Sequence, residues 1–149
     1  LPDSALPSIS KYNHFIFSSP WQFNSASILI GHSSGAVEVL ALLQQLPEGV
    51  VVDTVVLVGA FKDDLGWESL QHLFDIPFDF EKIRAHAKRF VFIHSDNDPF
   101  CPLEGAEYLS EELGGELVVV PGAYHFSIGT GGERFRELPI LLDILDGKK

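Results

Sequence analysis

The segment from residue 27 to residue 46 constrains the fold of this chain more than any other. An apolar block at 28–30 runs directly into Gly-His-Ser-Ser-Gly at 31–35, and an amphipathic run follows at once. This order predicts a short buried strand, a sharp turn and a helix over 34–46, because a compact apolar block gives way to apolar residues at helical spacing. Pro47 and Gly49 end the predicted helix.

The pentapeptide at 31–35 fits the Gly-x-Ser-x-Gly pattern of a nucleophile elbow, which joins a strand to a helix. Such a turn strains the serine, and Gly31 and Gly35 are expected to be glycine because the neighbouring backbone leaves no room for a Cβ atom. The turn lifts the hydroxyl of Ser33 clear of the sheet at a helix N-terminus. Ser33 is therefore the candidate nucleophile, and the backbone N–H of Ser34 is a candidate oxyanion donor. The alternative is that one of these serines only caps the helix.

Apolar and amphipathic segments alternate along the rest of the chain. Segments typical of buried strands lie at 50–60, 90–94 and 116–120. Segments with helical spacing lie at 67–74, 79–88, 103–113 and 133–145, the last with a kink or break at Pro139. Residues 1–24 indicate mostly loop with one short strand at 14–17, and the glycine-rich stretch 129–132 predicts a flexible connection. The alternation predicts a single domain of the α/β class with a mainly parallel sheet, in which chemistry gathers beyond the carboxyl ends of the strands.

Composition narrows the classes of protein that this chain can represent. Its 149 residues suit one domain, and a hydrophobic content of 46% favours a packed core over disorder. The net charge of −11 repels phosphate backbones and anionic lipid, so neither nucleic acid nor a membrane is an expected partner. The single cysteine, Cys101, has no partner for an internal disulfide, which favours a reducing compartment and predicts a cytoplasmic protein. No phosphate-loop or metal-ligand motif is present, so no cofactor and no metal are expected.

A serine nucleophile needs a base, and the base needs an orienting acid. In proteins built around this elbow, the acid and then the histidine follow the serine along the chain, each in a loop after a strand. The loop after 90–94 offers Asp98, which precedes a proline and lies deeper in the loop, and Asp96, which is the alternative acid or shapes the turn. The loop after 116–120 offers His125 as the base.

The other five histidines are assigned structural roles. His32 is expected to pack beside the elbow and His94 to be a core residue, while three are expected at the surface: His14, His72 and His86.

With these residues in place, the chain from residue 28 to residue 145 resembles a small α/β-hydrolase of the retinoblastoma-binding-protein type, an intracellular serine hydrolase family. The segments that carry the resemblance are 31–36, 96–99 with Pro102, and 124–126. The resemblance implies a three-layer fold without a large lid domain. It also implies Ser33 as nucleophile, Asp98 as acid and His125 as base.

The chain departs from that family at its beginning. Family members begin with a strand and a glycine-containing loop that supplies the second oxyanion donor, and a later Pro-Asp segment resembles residues 1–4 here. The resemblance therefore predicts a domain that is N-terminally incomplete and lacks this donor. Losing one such donor costs on the order of 10²–10³ in rate.

The expected function is hydrolysis of a small ester, thioester or amide through an acyl-enzyme, with a small-molecule acyl compound as the partner. Without a large lid, the site is expected to be shallow. The alternative is a protein-interaction module on a hydrolase scaffold, and a protein partner or a homo-oligomer stays open because a lost strand would expose a sheet edge. Dehalogenation is disfavoured, since that chemistry uses an aspartate where this chain has Ser33.

Overall fold

The computed structural model describes residues 1–3 and 5–147; Ser4, the last residue of the Pro-Asp segment, lies outside the described residues. At its centre is a parallel sheet of four strands in the order β1-β2-β3-β4. The strands are β1 (Ile28–His32), β2 (Val52–Val58), β3 (Ala87–His94) and β4 (Glu116–Val119). Because all four run the same way, their carboxyl ends share one edge of the sheet, where loops can bring side chains together.

Helices cover both faces of the sheet. They are α1 (Ile9–Phe17), α2 (Ser34–Leu43), α3 (Phe80–Ala85), α4 (Leu103–Leu113), α5 (Ile128–Gly131) and α6 (Ile140–Leu145), with 3₁₀ helices at Glu68–Leu73 and Glu133–Arg136. On one face, Leu40 of α2 and Leu109 of α4 pack against Leu57 of the sheet. On the other face, Ile144 of α6 packs against Val56. The predicted three-layer α/β fold with a parallel sheet is confirmed.

The prediction of a loop with a strand at 14–17 was wrong, because these residues belong to helix α1. One face of this helix is buried through Ile9, Tyr12, Asn13 and Ile16. Their spacing is helical, but it starts upstream of the apolar burst at 14–17 and includes a polar residue. The apolar residues at 14–17, taken alone, therefore indicated a strand instead of the helix.

Further boundaries differ from the prediction. Helix α2 ends at Leu43 instead of residue 46, β2 spans Val52–Val58 instead of 50–60, and the helix expected over 67–74 is a 3₁₀ helix at Glu68–Leu73. The helix expected over 79–88 begins as expected after Asp79, whose carboxylate accepts the N–H of Lys82, but Ala87 and Lys88 belong to β3. The helix expected over 133–145 is divided, since Pro139 stands at the N-cap of α6 and separates it from the 3₁₀ helix before it. The connection expected to be flexible at 129–132 instead forms most of α5.

Strand β1 forms one edge of the sheet within the described residues. It pairs with β2 on one side, and its Ile28 and Ile30 side chains are about half exposed, at 46% and 49%, so the prediction of a buried strand at 28–30 was wrong in its burial. An edge strand of this kind presents backbone groups and apolar side chains to the surroundings.

Candidate active site

The turn after β1 has the strained geometry that the Gly-x-Ser-x-Gly pattern predicts. Ser33 has φ 56° and ψ −125°, a combination that costs a residue with a Cβ atom about 1–3 kcal/mol. Its N–H donates to the carbonyl of Val58 at 2.9 Å, which ties the turn to the end of β2. The serine therefore stands at the carboxyl edge of the sheet, immediately before α2.

The two glycines of the pattern play different parts. A Cβ atom on Gly31 would lie 2.4 Å from the carbonyl oxygen of Gly35 and 2.7 Å from Cα of Ala36, so only glycine fits there. A Cβ atom on Gly35 would meet nothing within 4 Å, and the prediction that crowding requires glycine at this position was wrong. The crowding at Gly31 comes from the backbone of residue 35, and any residue at position 35 would supply the same backbone atoms.

Neither serine of the elbow caps helix α2. Ser33 occupies the N-cap position, but its side chain makes no capping hydrogen bond, and Ser34 is the first helical residue. The first N–H groups of a helix have no acceptor within the helix. The N–H of Ser34 belongs to this first turn, where the helix dipole favours negative charge.

Asp98 and His125 form a buried acid–base pair. Oδ2 of Asp98 lies 2.7 Å from Nδ1 of His125, and the side chains are 0% and 10% exposed. Oδ1 accepts the N–H groups of Phe100 and Cys101 at 2.9 and 3.0 Å. Burial alone would raise the pKa of Asp98, but the hydrogen bonds from His125, Cys101 and Phe100 together hold it below its ordinary value of 3.8. An ionised carboxylate only accepts, so Nδ1 of His125 donates in this hydrogen bond, and Nε2 is the ring nitrogen that does not contact the carboxylate.

The alternative acid, Asp96, contacts the backbone of the histidine loop instead of the imidazole. Three consecutive side chains after β3 bind three consecutive N–H groups after β4. Ser95 Oγ accepts from Ala123 at 2.9 Å, Asp96 Oδ1 from Gly122 at 2.8 Å, and Asn97 Oδ1 from Tyr124 at 2.8 Å. Sequence reasoning missed this set, because each pair spans more than twenty residues and the only local signal is a polar loop after a strand.

The backbone around His125 is strained and is held on both sides. Tyr124 and Phe126, on either side of His125, have φ values of 51° and 50°, in the left-handed region that costs a residue with a Cβ atom about 1–3 kcal/mol. The carbonyl of His125 lies 2.8 Å from Nε2 of His32, and its N–H donates to Oγ1 of Thr130 in α5 at 3.3 Å. His32 thus packs beside the elbow, as predicted, and also binds the histidine loop. Burial is the main reason that the pKa of His32 lies below its ordinary value, which keeps the ring neutral.

Gly59 is a second position that sequence reasoning missed. It follows β2 with φ +58°, and a Cβ atom there would lie 3.3 Å from Cε1 of His125 and 3.7 Å from Oδ2 of Asp98. The absence of a side chain leaves room for the acid–base pair. A glycine directly after an apolar strand was the available signal.

The remaining histidines divide as follows. His94 is a fully buried core residue and His14 and His72 are exposed, as predicted. The expectation that the His94 side chain is fully hydrogen-bonded was wrong, because its Nε2 has no partner within the described residues. The surface assignment of His86 was wrong, because this residue is 8% exposed and its Nδ1 lies 2.8 Å from the carbonyl of Lys82.

Ser33, Ser34 and His125 line a common cavity of about 330 Å³. Its lining includes Ser33, His125 and Cys101 together with three aromatic side chains: Phe61, Trp67 and Phe100. Within the described residues no hydrogen bond joins the Ser33 hydroxyl to His125, a contact that often tightens only when substrate binds. A larger cavity of about 570 Å³, between residues 6–11 and 68–72, contains none of the candidate residues.

Three side chains in this region could in principle serve as metal ligands. Ligand atoms of Asp98, Cys101 and His125 lie within 4.8 Å of one another. Burial, and then the charge of Asp98, raises the pKa of the Cys101 thiol to about 12, so the thiol is neutral when no metal is bound. Asp98 and His125 are already paired with each other, so the acid–base pair accounts for the cluster.

These features together define an α/β-hydrolase: a strained serine after the first strand of a parallel sheet, and an acid–histidine pair in the loops after two later strands. Comparison with known proteins agrees. A family model described as serine hydrolase matches residues 6–145, and the chain belongs to this family. The chain is 31% identical over 102 residues to serine hydrolase RBBP9 of Rattus norvegicus. The aligned segment covers 67% of this chain and 53% of the relative. The chain thus spans about half the length of that curated relative.

Solved structures with the same fold include the ydeN gene product of B. subtilis. It superimposes with a TM-score of 0.82 at 25% identity, covering 99% of this chain and 78% of the other. A meta-cleavage product hydrolase of Pseudomonas fluorescens shares the fold at 16% identity, with a TM-score of 0.64 and coverage of 99% and 75%. Within residues 1–3 and 5–147, no helix combines the length and the apolar character needed to cross a membrane.

Proposed function

We propose that this chain hydrolyses a small carboxylic ester, thioester or amide, with Ser33 as nucleophile, His125 as general base and Asp98 as orienting acid. The observation that carries the proposal is the 2.7 Å contact between Asp98 and His125, because His125 lines the same cavity as the strained Ser33. The family and the esterase-type chemistry of the elbow support a carboxylesterase-like enzyme.

The proposed reaction proceeds through an acyl-enzyme. Oγ of Ser33 attacks the carbonyl carbon while Nε2 of His125 takes the hydroxyl proton, and the carbonyl oxygen becomes an oxyanion beside the N–H of Ser34. Collapse of this intermediate breaks the bond to the leaving group, which receives the proton from His125. Water then attacks the acyl group with His125 again acting as base, and the carboxylic acid is released as Ser33 recovers its proton.

Asp98 and His32 act on His125 in this scheme. The carboxylate of Asp98 holds the proton on Nδ1 and stabilises the imidazolium that forms after proton transfer. His32 binds the backbone carbonyl of His125 and so limits movement of the loop.

The proposal is tested with a fluorophosphonate probe, which reacts with activated serines. We expect one adduct, mapped to the Ser33 peptide, and a loss of ester turnover of at least about 10⁴-fold in Ser33→Ala. Ser10→Ala, at an exposed serine of α1, serves as the matched control. Far-ultraviolet circular dichroism checks that the variants fold. Turnover that survives in Ser33→Ala would contradict the assignment.

A protein-interaction module on the same scaffold is the second candidate function. The half-exposed Ile28 and Ile30 on edge strand β1 favour it. A folded protein that takes no adduct and turns over no ester would support this candidate. In either case we propose a reducing, cytoplasmic setting, supported by the single buried free cysteine.

A further inference from the structure

The cavity beside Ser33 has a pronounced chemical character. Among its lining residues in the described part of the chain there is no Asp, Glu, Lys or Arg, and the walls are mainly apolar. We propose that this cavity binds an uncharged, apolar acyl group, and that Trp67 determines how long that group can be. This inference rests on the proposed function, because it assigns the acyl side of the substrate to the cavity.

An aromatic wall extends from the candidate base towards solvent. The ring of Phe100 lies edge-on to His125 with centroids 5.2 Å apart, and the ring centroids of Trp67 and Phe100 lie 6.1 Å apart. Trp67 and Phe100 are 48% and 43% exposed, although both line the cavity. A chain attached to Ser33 and lying along these rings would cover that exposed apolar surface, which is favourable.

The lining offers no charged side chain to pair with a charge on the acyl group. Its polar side chains are hydroxyls, the Cys101 thiol and the imidazole of His125, which is committed to Asp98. An ammonium or carboxylate placed there would lose its hydration without gaining an ion pair. The site therefore discriminates against charged acyl groups of the same length.

The size of the cavity sets the scale of the acyl group. At the roughly 30 Å³ that a water molecule occupies in the liquid, 330 Å³ corresponds to about ten non-hydrogen atoms. Each methylene that leaves water for an apolar wall is expected to raise kcat/KM by about fourfold. The kcat/KM for esters with acyl chains of medium length should accordingly exceed that for acetate esters by more than about tenfold.

Binding can be tested without turnover, because the chain has only two tryptophans. In isotope-labelled protein, the two indole N–H signals are assigned with Trp67→Phe and followed during titration with octan-2-one, a neutral ketone. We expect a saturable shift of the Trp67 signal and a constant signal from Trp21, which is 60% exposed and does not line the cavity. The matched anion, 7-oxooctanoate, should bind at least about tenfold more weakly. Equal binding of both ketones, or equal shifts of both signals, would overturn the inference.

Turnover gives the second readout. For p-nitrophenyl esters, Trp67→Ala should lower the ratio of kcat/KM for hexanoate over acetate by at least about fivefold, whereas Trp21→Ala should leave this ratio unchanged. A ratio that Trp67→Ala leaves unchanged would contradict the role of this residue. If the probe labels Ser33 while octan-2-one shifts neither indole, the cavity inference fails alone. If Ser33 is not labelled and no ester is hydrolysed, the proposed function fails, and the inference about an acyl group fails with it.

Discussion

Replacing Glu38 by glutamine is expected to stabilise the folded protein at alkaline pH. Glu38 lies on α2, against which α1 packs, and is only 2% exposed. Neither of its carboxyl oxygens has a hydrogen-bond partner within the described residues. Burial therefore raises the pKa of Glu38 from 4.5 to about 8.

The sign and size of the effect follow from proton linkage. Between pH 4.5 and about 8, the folded protein keeps a proton on Glu38 that the unfolded chain has released. The contribution of the protonated Glu38 to the free energy of unfolding is therefore fully present below pH 4.5. This contribution is lost as the pH rises to about 8. A rise in pKa from 4.5 to about 8 corresponds to a loss on the order of 5 kcal/mol. Glutamine resembles the protonated acid in shape and never ionises, so Glu38→Gln removes this loss.

The measurement is urea unfolding of both proteins at about pH 5 and about pH 9, because the comparison cancels all other titrating groups. The variant should exceed wild type by no more than about 1 kcal/mol at the acid end and by several kcal/mol at the alkaline end. Glu111→Gln, at an exposed position of α4, is the control and should leave the pH dependence within about 0.5 kcal/mol of wild type. An identical pH dependence in wild type and Glu38→Gln would refute the reasoning, since it would mean that the carboxylate ionises in the folded state at little cost.

Two further predictions concern the acid–base pair. In Asp98→Asn, the amide would favour the wrong tautomer of His125, and kcat in steady-state assays should fall by about 10⁴-fold. Asp96→Asn is the control, because it keeps an oxygen acceptor for the N–H of Gly122, and its kcat should stay within about tenfold of wild type. Equal losses of kcat in the two variants would count against the assignment of Asp98. Gly59→Ala should cost about 1–2 kcal/mol in urea unfolding because of its positive φ, and at least about tenfold in kcat/KM because its Cβ displaces the imidazole. Gly114→Ala has a similar φ of +62° with nothing within 4 Å and should show the stability loss alone.

The features predicted correctly from sequence are those whose signals are local. The elbow at 31–35 is read from five adjacent residues, and the strand and helix beside it from their own apolar spacing. The same holds for β3 and α4, because the apolar pattern that predicts each of them lies within its own segment. Helix α1 was missed because its buried face includes Asn13, a polar residue that sequence periodicity counts as exposed. Helix α5 was missed because glycine-rich sequence has low helix propensity and gains its order from contacts of Thr130 with the histidine loop.

The choice between Asp96 and Asp98 shows why part of the site required the structure. Both follow the same strand, so hydrophobic patterning treats them alike. The parallel register pairs His94 with Val119, which places the loops after β3 and β4 side by side. The nearer aspartate then meets the N–H of Gly122, while the farther one, held by two N–H groups of its own loop, turns its free oxygen to His125. The deciding contacts span more than twenty residues, and their geometry depends on strand register, which no single segment of sequence encodes.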